Sequence, residues 1–407
     1  MKVNSKSETK SGSKKGEFYA HRTYFKLYFA NQDMDFILQW LLGHGIHGAC
    51  TVGEVFYTIN QIDDGDPESW VREFLKLAER VEKRAEDVFQ RNHTVSARET
   101  FLRAAIYYRA ILADMLPHNP DYQKILKKMR ECFRKGGALF NPQIESIKIP
   151  FEGKVLPGYF IKAKNDGEKH KTLIMIGGGE TFAMDLYFYI APAALRRGYN
   201  FLTVDLPGQG SLPFEGLFFR HDTEIPMKAV LDYVLSRPEV DSEKLAAYGI
   251  SGGGYYVPRA AIHDKRIKAC IANSMIFNLY RIWANSPVKR IKEVKRDDPH
   301  LTRIIELLAW RWGLKPNNIF GLIEANKEFI FDPSQITCPL LILIGEGEYN
   351  SSDEIKAQQQ NAIDLSTNPH SKLIIAPTNE GGAHHCQGDN LALMSSLVFD
   401  WLDEIFD

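Results

Sequence analysis

The sequence predicts an α/β fold, in which a mostly parallel central sheet follows an all-helical N-terminal segment and carries a helical insertion between its late strands. Three observations lead there. Residues 18–140 carry helical periodicity alone, whereas from residue 144 short apolar runs alternate with helical stretches. At 407 residues the chain is longer than one hydrophobic core usually serves, so two structural units are expected. The connection at 275–336 is too long for a single crossover and lies over the sheet edge where open α/β sheets place their ligands.

Residues 1–17, MKVNSKSETKSGSKKGE, are polar and lysine-rich with no apolar stretch behind them, which predicts a disordered tail rather than a signal peptide. The helical segment follows. Asp66-Pro67-Glu68-Ser69 supplies an N-cap, a proline at the first helical position and acid in the first turn. Behind it Trp70, Phe74, Leu77 and Val81 recur at three- and four-residue spacing, with Glu73, Lys76, Arg80 and Lys83 between them: an amphipathic helix. Ser96-Ala97-Arg98-Glu99 has the form of a capping box and predicts a second helix reaching Leu116, ahead of Pro117. Tyr107 and Tyr108 on that helix would serve as core or pocket lining, the core being the commoner place for aromatics at helical spacing.

Beyond residue 141 the runs IESIKI (144–149), GYFIKA (158–163), TLIMI (172–176), NFLTVD (200–205), KLAAYG (244–249), KACIANS (268–274), LLILIG (340–345) and KLIIAP (372–377) read as strands. Short runs that are apolar throughout and flanked by Gly or Pro fit strands buried on both faces, and helical connections between them make βαβ units. The insertion holds helical patterns of its own, for instance Leu301 to Trp312.

Composition narrows the class of function. The chain is 44% hydrophobic and 25% charged, with a formal net charge of −1, so neither nucleic acid nor an anionic membrane is an expected partner. No apolar run approaches the length of a membrane-spanning helix. Five cysteines without paired spacing point to reduced thiols and a cytoplasmic setting.

The motif that carries most chemistry is Gly249-Ile250-Ser251-Gly252-Gly253, at the end of one predicted strand and ahead of a helical stretch. A nucleophile on a sharp strand-to-helix turn projects from the sheet, and its neighbours must be small because the turn brings backbones together. A serine needs a general base, and Gly381-Gly382-Ala383-His384-His385-Cys386-Gln387 follows the last predicted strand. The two histidines compete for that role. The histidine in turn needs a carboxylate. Glu348, three residues past the strand end at Gly345, is the first choice, with Glu346 and Asp353 as alternatives. Nucleophile, acid and histidine then follow one another in the order of the α/β-hydrolase fold.

For the oxyanion, the N–H of Gly252 is one donor, and the turn Gly177-Gly178-Gly179 after TLIMI should give the other through Gly178 or Gly179. Asp205-Leu206-Pro207-Gly208-Gln209-Gly210 reads as a structural turn. No cofactor and no metal are expected. Gly177-Gly178-Gly179 is not a dinucleotide fingerprint, Asp63-Asp64-Gly65-Asp66 lacks the spacing of a calcium loop, and His44 and His47 lack the glutamate of a zinc motif.

GISGGGYYVPRAA with the preceding RPEVDSEKLAAY, and likewise IGGGETF, DLPGQG, EGGAHHCQ and the helical GDPESWVREF…SARETFLRAAIYYRA, resemble one branch of the α/β-hydrolases. That branch has an N-terminal helical domain and includes 2,6-dihydroxypseudooxynicotine hydrolase and the fungal heptaketide hydrolases of pigment synthesis. The resemblance covers roughly residues 45 to 405. It implies a helical cap domain at 18–140 and a catalytic domain at 141–407, with the cap and the 275–336 insertion closing over a pocket. It implies Ser251 as nucleophile, Glu348 where the family's acid, usually aspartate, stands, and His385, directly before Cys386, as the catalytic histidine. Members cleave carbon–carbon bonds of β-diketone-like or polyketide substrates, or act as esterases.

The expected partner is therefore a small carbonyl compound, with a second copy of the chain in a homodimer as the only macromolecular one. An acylaminoacyl-peptidase-like enzyme and a catalytically silent binding module are the competing readings. The first lacks its β-propeller, and the second is disfavoured by the intact serine, glycine turn and histidine.

Overall fold

The computed structural model describes residues 25–285, 299–316 and 318–407. The tail expected at 1–17 and part of the insertion lie outside the described residues. The helical segment comprises α1 (Gln32–Gly43), α2 (Val52–Ile59), α3 (Pro67–Gln90), α4 (Thr94–Asp114) and α5 (Tyr122–Gly137). Asp66 caps α3 as its sequence requires, its carboxylate accepting the N–H groups of Glu68 and Ser69 at 3.0 and 3.2 Å. Two expectations are corrected here. Residues 25–31 are not helical: the Asp35 carboxylate gathers the N–H groups of Leu27, Tyr28 and Phe29 (2.8–2.9 Å), which holds this stretch across the start of α1. The capping box at Ser96 does not form either, because α4 already begins at Thr94 and Ser96 lies inside its first turn, its carbonyl accepting from the Thr100 hydroxyl.

The sheet contains β1 (Glu145–Phe151), β2 (Lys154–Ile161), β3 (His170–Ile176), β4 (Asn200–Val204), β5 (Val240–Ile250), β6 (Ala269–Asn273), β7 (Leu340–Gly345) and β8 (Lys372–Ala376). Their order is β1-β2-β4-β3-β5-β6-β7-β8. Only the β1–β2 and β2–β4 pairings are antiparallel. The eight strands fall on the eight apolar runs of the sequence. Connecting helices are α6 (Ala183–Arg196), α7 (Glu224–Leu235), α8 (Gly253–His263), α9 (Leu279–Asn285), α10 (Pro299–Arg311), α11 (Ile319–Ala325), α12 (Glu346–Tyr349), α13 (Asp353–Asp364) and α14 (Leu391–Phe406).

Alternate residues of each central strand feed opposite cores, as the two-residue period of a strand dictates. Leu173, Met175, Tyr248, Leu341 and Leu343 join a cluster that also contains Trp70, Phe74, Leu77, Tyr107 and Tyr122 of the helical segment and residues of α6 and α14. Ile174, Ile176, Ala247, Leu340 and Ile342 join the second cluster, beneath α7 and α8. The helical segment thus shares one core with one face of the sheet. Polar clamps reinforce the joint. Arg109 pairs with the buried Asp185 (2.9 Å) and donates to the Glu180 carbonyl (2.8 Å), and Arg130 donates to Ser211 Oγ (2.6 Å). Tyr107 and Tyr108 are buried, with hydroxyls donating to Glu54 (2.7 Å) and Glu82 (2.6 Å), which makes them core residues. Among the described residues no helix is long and apolar enough to cross a membrane.

Candidate active site

Ser251 sits between β5 and α8 with φ of 54°, a left-handed conformation that costs a non-glycine residue energy and concentrates at functional sites. The turn is possible because Gly249 and Gly253 face each other. A Cβ on Gly249 would lie 1.9 Å from the Gly253 carbonyl oxygen, and one on Gly253 would lie 2.5 Å from that of Ile176. The Ser251 N–H donates to the Asn273 carbonyl at the end of β6 (2.6 Å), which fixes the turn against the neighbouring strand.

The glycine turn after β3 packs directly on the serine. A Cβ on Gly178 would stand 2.7 Å from Ser251 Oγ and 3.0 Å from the Gly252 nitrogen. Gly252 approaches from the other side: its Cβ position lies 3.4 Å from the Gly179 nitrogen. Gln209 ties this turn down, its side-chain amide donating to the carbonyls of Gly177 (2.6 Å) and Gly178 (3.1 Å). The DLPGQG turn is structural, as the sequence suggested, and its structural task is to hold the glycine turn. Buried Asp205 in the same turn accepts the Ala183 N–H at the start of α6 (2.7 Å).

His385 Nδ1 lies 2.9 Å from Glu348 Oε1, and the Ser274 hydroxyl donates to the same oxygen at 3.0 Å. Glu348 stands on the one-turn helix α12 just past β7. The alternative acids point elsewhere. Glu346 accepts the N–H and hydroxyl of Thr378 (2.8 and 2.5 Å), and Asp353 occupies the first turn of α13. Burial works against a charge on His385, but the neighbouring Cys386 and Glu348 outweigh it and hold the imidazole well above its usual value of 6.5. His384 is buried as well, 3.9 Å from Asp389 and edge-on to Phe25.

Residues not singled out in the sequence hold the histidine loop in place. Cys386 and Gln387 have φ of 55° and 48°. The Asn273 amide donates to Gln387 Oε1 (2.7 Å) and to the Tyr248 hydroxyl (2.8 Å), while its carbonyl accepts from Ser251 N–H and from Cys386 Sγ (3.4 Å). Tyr189 donates to the Cys386 carbonyl (2.6 Å). One residue thereby anchors both the serine turn and the histidine loop. The available signal was an asparagine closing an otherwise apolar strand, and a buried polar group in that position needs partners.

His44 and His47 belong to the joint with the helical segment. His44 is buried against the Trp40 ring (3.9 Å between centroids), and burial lowers its pKa to about 3, so it is neutral. His47 Nδ1 lies 2.6 Å from the Phe188 carbonyl. Asp64 accepts the N–H groups of Ala30 and Asn31. The two surface clefts near Phe140 are lined by none of the residues of the serine and histidine loops.

Comparison with known proteins fits this architecture. Residues 64–291 match the family model described as esterase FrsA-like. The chain is 31% identical to the 20-hydroxy-prefusarin hydrolase FUS2 of Gibberella moniliformis, over 93% of this chain and 97% of that protein. It is 35% identical to the hydrolase ORFZ of Pyricularia oryzae, over 93% and 98%. The crystal structure of 2,6-dihydroxy-pseudo-oxynicotine hydrolase superposes with a TM-score of 0.72 at 20% identity, covering 90% of this chain and 96% of that one. With this fold, and with a family match spanning both the helical segment and the serine turn, the chain belongs to the FrsA-like esterase family of α/β-hydrolases.

Proposed function

We propose that the protein is a serine hydrolase of small carbonyl compounds, with Ser251 as nucleophile, His385 as general base and acid, and Glu348 as the residue that orients and stabilises the imidazole. The observation that carries this reading is the 2.9 Å contact between His385 Nδ1 and Glu348 Oε1 on the loops that follow β8 and β7. A carboxylate can only accept there, so Nδ1 keeps its proton and Nε2 is the basic nitrogen. Ser251 on its strained turn, with Gly178 against its oxygen, supplies the other half.

In the proposed cycle, Ser251 Oγ attacks the carbonyl carbon while His385 Nε2 takes its proton. The electron pair of the C=O bond moves to oxygen, where the N–H groups of Gly252 and of Gly178 or Gly179 receive it. Collapse of the adduct breaks the bond to the leaving group, which takes the proton from His385. For an ester the leaving atom is oxygen. For a β-diketone it is the carbon between two carbonyls, departing as an enolate. Water, deprotonated by His385, then releases the acyl group. The relatives' names as hydrolases and the FrsA-like esterase family support hydrolysis at a carbonyl, and carbon–carbon cleavage of a polyketide-like substrate and ester hydrolysis are the two reactions proposed. The helical segment and the 275–336 insertion would form the lid: Leu308 on α10 lies 3.9 Å from the Cβ position of Gly179. Arg303 of the same helix bonds the Asp114 carbonyl and Glu68 of the helical segment.

The test is fluorophosphonate labelling followed by turnover of p-nitrophenyl esters and β-diketones. Wild-type protein should label and Ser251→Ala should neither label nor turn over, a loss of about 10⁴-fold or more. Labelling that persists in Ser251→Ala would overturn the assignment.

A further inference from the structure

We propose that the Tyr256 hydroxyl is a third hydrogen-bond donor to the substrate's carbonyl oxygen, beside the two backbone N–H groups, an assignment that rests on Ser251 being the nucleophile. Tyr256 lies four residues after Gly252, the residue that caps α8. Side chains on a helix lean toward its N-terminus, so a residue at this spacing reaches back over the helix start. The structure follows that rule. The Tyr256 hydroxyl oxygen is 3.3 Å from the Cβ position of Gly252, a point that is also 3.4 Å from the Gly179 nitrogen and 3.5 Å from Gly178 Cα. The Cβ position of Gly178, in turn, is 2.7 Å from Ser251 Oγ and 3.0 Å from the Gly252 nitrogen. The phenol oxygen, the nucleophile and both backbone donors therefore ring one small volume. It stays clear because residues 178 and 252 carry no side chain.

The adjacent tyrosine shows what a structural hydroxyl looks like here. Tyr255 donates to the His221 carbonyl at 3.0 Å and accepts from Arg259 at 3.2 Å. Tyr256 has an equally buried ring, held by stacking on Phe219 at 5.8 Å, yet its hydroxyl bonds to none of the described residues. A hydroxyl that is spent on no protein acceptor can donate to a substrate oxygen. Burial and the neighbouring Tyr255 hold its pKa well above the usual value of 10, against the pull of Arg311, so the phenol keeps its proton and can donate. As Ser251 Oγ bonds to the carbonyl carbon, negative charge gathers on the carbonyl oxygen and this hydrogen bond strengthens. No proton is transferred by Tyr256, and the His385 cycle is unchanged.

Tyr256→Phe removes one oxygen atom and keeps the packing. With p-nitrophenyl esters, kcat should fall on the order of 10²-fold with KM nearly unchanged, the pattern of a donor used only in the transition state. Fluorophosphonate should still label the variant at Ser251, which separates this question from the identity of the nucleophile. Binding of a trifluoromethyl ketone, which forms a tetrahedral adduct with the serine, should weaken in step with kcat/KM. A merely structural role would not produce that proportionality. Wild-type kcat in a labelled, folded Tyr256→Phe would overturn the proposal, as would a fall in kcat without loss of ketone affinity. If Ser251→Ala kept full activity, the serine reading itself would fall instead.

Discussion

In α3, α4 and α5 the position of the chain is set by many similar apolar contacts, whereas at the C-terminal edge of the sheet it is set by single atoms. Trp70, Phe74, Leu77 and Val81 each bury a side chain in the shared core, and any one of them could shift slightly while the others hold the helix. At the sheet edge, Gly249 has no room for a methyl group beside Gly253, Ser251 and Cys386 are held in left-handed conformations, and one asparagine ties two loops together. Perturbation should therefore cost stability in the first region and rate in the second. The sharpest test is Glu348→Gln. A neutral amide no longer favours the Nδ1–H tautomer of His385, and kcat should fall about 10⁴-fold, while Glu346→Gln and Asp353→Asn stay close to wild type. If Asp353→Asn were the crippling change, the acid would be Asp353.

The same pair governs pH dependence. The base form of His385 is required, so kcat/KM should fall as pH drops through its pKa, and that acid limb should lie above the ordinary value of 6.5 because Glu348 and Cys386 stabilise the imidazolium. Gly178→Ala comes next in size. Its methyl group would stand 2.5 Å from Ser251 Cβ and 2.7 Å from Oγ, and a loss of about 10²–10³-fold in kcat is expected, together with a lower melting temperature as the turn shifts to make room. Trp70→Ala inverts the pattern. It should remove about 3–5 kcal/mol of unfolding free energy in urea titration, with kcat per folded molecule retained. A rate effect exceeding the stability effect would mean that the helical segment acts in the chemistry itself. Asp66→Ala, which removes the cap of α3, should cost only about 1 kcal/mol.

The contrast also explains what the sequence made legible. The central strands β3, β4, β6 and β7 are buried on both faces and leave uninterrupted apolar runs, whereas the outer strands β1, β2 and β8 are half-exposed, against the expectation of burial on both faces, and are legible from their apolar residues and flanking Gly and Pro. The cap at Asp66 and the glycines around Ser251 are local requirements written at fixed offsets. Strand β5 begins at Val240, earlier than its apolar run, because the polar residues 241–244 that follow this buried valine are exposed or half-buried. The capping box at Ser96 failed because α4 had already started at Thr94, two residues earlier. The choice between His384 and His385 could not be made from local pattern, since it depends on which side of the loop faces Glu348. Asn273 and Gln387 lie 114 residues apart, and their contact follows no spacing rule.

The shared core bears on synthesis. Strand β3 lies between β4 and β5, and the cluster that buries Trp70 and Tyr107 is completed by Met394, Val398, Phe399 and Leu402 of α14. At the usual 5–20 residues per second, the ribosome releases α3 and α4 many seconds before their last packing partners exist. Throughout that interval the apolar face of the helical segment is exposed, and no local rearrangement can cover it with the residues made later. Nascent chains of this protein should accordingly associate with holdase chaperones until α14 emerges, and release from them should coincide with its appearance.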